Sequence, residues 1–183
     1  LLILDGGNIF QGHPLGIADG GHTMIEWMNR IGYDAMVPGS YDFISGAQNL
    51  NSLALTANFP FLFSNLICKS CPLINKTIKP YIIRKISGIK IGILGVVNSQ
   101  LSELALAENL SGTDTEKEVM SIRKWIPEMK RNGAELIILL SSSGVPWNRE
   151  DEYEKFRSDI INEKIDTNAS LNALQLAYYL EDV

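Results

Sequence analysis

The sequence predicts an α/β domain of layered construction, with mixed β-sheets flanked by helices. Three observations lead there. From Leu1 to Asn65, short apolar runs that stop in Gly-rich loops alternate with stretches of helical period. From Tyr81 to Val97, two extended runs are joined by Ser87-Gly88, a hairpin signal. Beyond that, a helical stretch leads into the strongly apolar run Leu136 to Leu140. At 183 residues the chain suffices for one domain with a substantial core.

Leu1 to Leu4 reads as a buried strand ending in Asp5-Gly6-Gly7-Asn8. Met24, Trp27, Met28 and Ile31 recur at helical spacing and mark one face of a helix that Gly32 stops, with Trp27 expected in the core. Ala35 to Val37 is a second strand, closed by Pro38-Gly39. Leu50, Leu53, Ala54 and Ala57 mark a second helix, and Phe59 to Asn65 a third strand. Ile91-Gly92-Ile93-Leu94-Gly95-Val96-Val97 looks like a nucleotide fingerprint only superficially. Asn98 stands where a third Gly should, so the run reads as a buried strand.

Thr115-x-x-Glu118 has the form of a capping box. It opens a helix carried by Val119, Ile122, Ile126 and Met129, in which Pro127 should cause an end or a kink. The last third reads as helical, with Leu171, Leu174 and Tyr178 on one face. If the strands that end at Gly7, Gly39 and Gly144 are neighbours, their loops meet at one edge, where open α/β sheets place their sites.

Composition narrows the function classes. A net charge of −5 with scattered Lys and Arg argues against nonspecific nucleic-acid binding. No apolar run reaches the roughly 20 residues that span a bilayer. The chain opens on Leu1 rather than Met and stops at Glu181-Asp182-Val183 without a helix-ending signal, so residues 1–183 are expected to be one domain cut at both ends. Cys68-Lys69-Ser70-Cys71 are loop thiols, a local disulfide, or, as a lesser alternative, a thiol-redox pair. A zinc site would need more ligands than these two. His13 and His22 flank the first Gly-rich loop and are expected to be solvated or to cap turns, with ligation the lesser reading. Trp147 follows the Gly144 loop, where an aromatic could stack on a base or a partner.

The stretch Ile31 to Gly46, Ile-Gly-Tyr-Asp-Ala-Met-Val-Pro-Gly-Ser-Tyr-Asp-Phe-Ile-Ser-Gly, resembles a segment of the 5′-nucleotidase branch of the calcineurin-like metallophosphoesterases. There the motif reads Gly-Asn-His-Asp/Glu-Phe, the Asn a metal ligand and the His facing the phosphate. The resemblance is dense from Leu1 to Asn65 and thinner to Gly144. It implies hydrolysis of nucleotide phosphomonoesters by water activated on two divalent ions such as Mn or Zn. It also implies export or attachment to the cell surface.

Carried over residue by residue, the resemblance shows altered chemistry in a kept frame. The bridging Asp of Gly-Asp would be Asn8. The metal-ligand Asn would be Ser40 and the catalytic His would be Tyr41, while Asp42 keeps the carboxylate that orients that His. The His of Leu-Ser-His-x-Gly would be Ser142. Asp-x-His would lie upstream of Leu1, and Gly-His-x-His after Val183, preceded by the helix Ala173-Leu174-Gln175-Leu176-Ala177. The expectation is a weakly active or non-catalytic member that binds a nucleotide, another phosphoester or a protein partner. The alternative is an active phosphohydrolase whose metal shell is completed by segments outside this chain.

Overall fold

The computed structural model describes residues 1–9, 14–73, 76–162, 164 and 171–179. In chain order the elements are β1 (Leu4–Asp5), α1 (Pro14–Ile17), α2 (His22–Ile31), β2 (Ala35–Met36), a 3₁₀ turn (Ser40–Phe43), α3 (Gly46–Thr56), β3 (Phe61–Leu62), β4 (Leu66–Cys68), β5 (Ile78–Lys79), β6 (Tyr81–Ile86) and β7 (Ile89–Val96). There follow α4 (Leu101–Leu104), α5 (Ala107–Leu110), β8 (Thr113–Thr115), α6 (Glu118–Arg131), β9 (Leu136–Ser141), α7 (Arg149–Ile161) and α8 (Ala173–Tyr179).

Two sheets face each other. One is parallel throughout, in the order β1-β2-β3-β5; the other is mixed, in the order β6-β7-β9, with β6 antiparallel to β7 and β9 parallel to it. Between them lie Ala35, Leu62 and Ile93, with Leu2, Leu4, Ile82, Ile138 and Leu140 packed around them. The sheets touch at Gly95, where a Cβ would collide with the Leu62 side chain, so only glycine fits. The outer face of the parallel sheet is covered by α2 and α3, through Ile25, Met28, Ala47, Leu50 and Leu53. That of the mixed sheet is covered by α6 and α8, through Val119, Ile122, Ile126, Met129 and Leu176. The layers are therefore helix, sheet, sheet, helix.

The hairpin forms as expected. Ser87 and Gly88 both take positive φ (51° and 93°), the requirement of a two-residue turn that matches strand twist. β7 is a buried strand, not a nucleotide loop. The first strand forms later than expected, at Leu4–Asp5.

Other expectations are corrected. In α2 the buried residues are Ile25 and Met28, so the inward stripe is rotated from the one read in the sequence; Trp27 is 50% exposed and lies against Tyr33. Helix α6 runs through Pro127, which lies on its exposed face. No capping box forms either. Thr115 belongs to β8, which pairs with β4 in a two-stranded ribbon that the sequence had not revealed, and the Glu118 carboxylate accepts the Ser99 N–H instead (2.7 Å). At the other end Leu171 and Leu176 are buried while Tyr178 is 41% exposed.

Candidate functional site

The loops after β1 and β2 are built against each other. Asp5 ends β1 and turns the chain by accepting the Gly7 N–H (2.8 Å). Asn8 follows at φ 62°, a left-handed conformation that Asn tolerates better than most residues. The loop after β2 brings Gly39 onto the Asn8 side chain so closely that any Cβ on Gly39 would occupy the space of the amide.

Asp42 ties the two loops. It is fully buried, and its carboxylate accepts N–H groups from Gly39 (2.8 Å), Asn8 (2.8 Å) and Ile9 (2.9 Å). Burial pushes the Asp42 pKa up to about 6, against the lowering effect of these bonds, and the nearby charge of Asp5 pushes the same way. Asp5 is itself raised by burial. The Asn8 Oδ1 accepts the Tyr41 N–H (3.0 Å), which fixes the Tyr41 main chain while its ring stays 50% exposed. Ser40, half-buried, opens the 3₁₀ turn.

The end of β9 reaches the same place. The Ser141 carbonyl lies 3.7 Å from where a Cβ on Gly6 would stand. Ser142 comes next; its N–H donates to the Val96 carbonyl (3.1 Å) and its Oγ accepts the Asn98 N–H (3.0 Å). The loops after β1, β2 and β9 thus meet at one edge.

No family model matches the chain. Among curated proteins it is 30% identical over 151 residues to a 5′-nucleotidase of Vibrio cholerae, covering 82% of this chain and 27% of the relative. It is 29% identical over 162 residues to a 2′,3′-cyclic-nucleotide 2′-phosphodiesterase/3′-nucleotidase of Salmonella typhimurium, covering 79% of this chain and 25% of the relative. A solved calcineurin-like phosphoesterase, YfkN from Bacillus subtilis, shares the fold with a TM-score of 0.66 at 28% identity, over 79% of this chain and 49% of that one. The chain belongs to the 5′-nucleotidase branch of the calcineurin-like metallophosphoesterases. It spans about a quarter of the length of these curated relatives.

Members of this branch are metal-dependent, and the donor set here does not fit a pair of dications. Two close dications need an anionic bridge and neutral nitrogen or amide ligands. The position expected from the resemblance to bridge holds the Asn8 amide, whose oxygen accepts the Tyr41 N–H. Ser142 Oγ is engaged by Asn98, and the Asp42 oxygens by three main-chain N–H groups. Among the described residues no group of three or more His, Cys, Asp or Glu could hold a metal ion.

Of the other sequence candidates, His13 lies outside the described residues, and His22 opens α2. Trp147 is 99% exposed. Cys68 and Cys71 form a disulfide that links the end of β4 to a buried loop residue. Neither cysteine opens a helix, so the thioredoxin-type reading lacks its geometry. Sequence reasoning missed Asp5 as a site residue. Its signal was an acid standing at the strand end immediately before the Gly-Gly turn.

Proposed function

We propose that this metallophosphoesterase-fold chain is weakly active or non-catalytic, and that it binds a nucleotide, another phosphoester or a protein partner at the strand-end site. One observation carries the reading. At the positions the resemblance assigns to ligation, Asn8 and Ser142 hold the loops together through main-chain N–H groups. A side-chain oxygen that accepts an N–H has less freedom to turn toward an ion. Tyr41 cannot protonate a leaving group as an imidazolium does, and Ser40 offers a hydroxyl where an amide would ligate. Asp42 acts as a positioning residue for the two loops.

A second reading keeps the enzyme. Asp42 ties the loops after β1 and β2 together, and the charge of Asp5 bears on it. On that reading, segments outside this chain complete an unusual metal shell for nucleotide hydrolysis. Export or attachment to the cell surface is part of the proposal, and the Cys68–Cys71 disulfide suits an oxidising compartment.

Restoring the ligands separates the readings. Asn8→Asp, Tyr41→His and Ser142→His together should create Mn²⁺ binding and hydrolysis of AMP where the natural chain shows neither. Hydrolysis by the natural chain at a rate like that of the triple variant would overturn the proposal. Failure of the folded triple variant to bind Mn²⁺ would show that these positions are wrongly assigned.

A further inference from the structure

β6 is the outer strand of its sheet: β7 pairs with one edge, and among the described residues no strand covers the other. The register settles which main-chain groups face that free edge. Gly95 N–H donates to the Pro80 carbonyl (3.3 Å), so Tyr81 and Leu94 form a pair that exchanges no bonds of its own. Alternation along the ladder then turns Ile82, Arg84 and Ile86 toward β7. The N–H and C=O groups of Tyr81, Ile83 and Lys85 turn outward.

A groove of about 710 Å³ runs along this edge, lined by the consecutive residues Lys79 to Arg84. Pro60 lines it from the parallel sheet and Trp125 and Glu128 from α6. Trp125 is fixed in place: its indole N–H donates to the Ser64 carbonyl (3.0 Å), and its ring lies 5.7 Å from that of Tyr81.

The charge here runs against that of the molecule, which carries −5 overall. Lys79 and Arg84 line the groove, and neither is ion-paired among the described residues. Lys85, next along β6, is exposed on the opposite face of the strand from Arg84, and Lys124 sits with its Nζ 4.7 Å from the centre of the Trp125 ring. Glu128, the acid in the lining, accepts the Tyr81 hydroxyl (2.9 Å).

We propose that the free edge of β6 docks an extended acidic peptide segment, added to the mixed sheet as a further strand. The outward groups of Tyr81, Ile83 and Lys85 supply the backbone ladder. Lys79, Arg84 and Lys85 select acidic side chains, and Trp125 gives a rigid apolar wall. A second copy of this chain fits less well, because β6 paired with itself would bring Arg84 and Lys85 of the two copies together. Charges on an edge strand also deter aggregation, but that role requires no groove beside them.

The test uses the whole chain and a short fluorescein-labelled peptide of alternating Glu and Val, with its Lys–Val counterpart as the control. Anisotropy reads binding, and hydrogen exchange reads the β6 amides. The Glu peptide should bind at least about tenfold more tightly than the Lys peptide and slow exchange at Ile83 and Lys85 about tenfold or more. Ile83→Pro removes an N–H that no ladder bond uses and should abolish that protection without changing the circular dichroism. Lys79→Glu with Arg84→Glu, on the surface, should weaken binding by about tenfold or more even if the proline variant misfolds. No binding, equal binding of both peptides, or protection confined to other strands would overturn the proposal. So would β6 amides already protected by self-association of the free chain.

Discussion

Asp42 and Gly39 carry the most at the scale of single residues. Gly39→Ala places a methyl group where the Asn8 amide stands, and should destabilise the chain by about 1–3 kcal/mol in urea unfolding. Asp42 sets a pH dependence whose sign is fixed by its environment. Its pKa rises from 3.8 to about 6 on folding, so the folded state holds the proton more tightly between those values. The stability that this carboxyl contributes is therefore full below about pH 3.8 and is lost as pH rises through about 6. Asp42→Asn should flatten the pH–stability curve in that window, although the three N–H donors around it make the variant less stable overall. A curve with unchanged slope would place the titration elsewhere. Part of this was visible beforehand: Asn8, Ser40, Tyr41 and Ser142 stood out because they depart from the resembled motifs while their neighbours, Asp42 among them, keep to them. What stayed hidden was that Asn8 and Asp42 act through main-chain N–H groups of another loop, a long-range pairing that no local pattern encodes.

For the elements, spacing was reliable where one face of a helix is deeply buried. α6 presents the apolar residues that its periodicity picked out, and α3 presents Leu50, Leu53 and Ala54, while Ala57 falls just past its end in extended conformation. The misreadings share a cause, which is tertiary context. Pro127 is tolerated because it faces water, and the Thr115 to Glu118 pattern is split between a strand and a helix. The short β4 and β8 carried no alternation long enough to see, and they exist because they pair with each other. This division yields a prediction. Thr115 Oγ1 is buried without a hydrogen-bond partner among the described residues, so Thr115→Val should be neutral or stabilising. Glu118→Ala removes the acceptor of the Ser99 N–H and should cost about 1–3 kcal/mol. Thermal unfolding of the two variants distinguishes this arrangement from a capping box, in which Thr115→Val would carry the penalty.

Taken whole, the molecule is a helix–sheet–sheet–helix sandwich whose strand-end loops meet at one edge, the place its order of elements foretold. The fold was legible because each layer needs one apolar face, and those faces repeat visibly along the chain. The free edge of β6 was not legible, because pairing order belongs to the sheet rather than to any strand in it. On this account the fold carries two separate features: a strand-end site whose chemistry we propose is altered, and a basic groove on the opposite flank of the mixed sheet from β9. The altered chemistry is the central claim, and metal content tests it most directly. Purified chain would be exposed to Mn²⁺ and Zn²⁺, passed through a desalting column and measured by elemental analysis. The account predicts well under one tightly held ion per chain, with no change in thermal stability when either metal is added. About two ions per chain, with stabilisation to match, would contradict it and return the site to metal-dependent phosphoester hydrolysis.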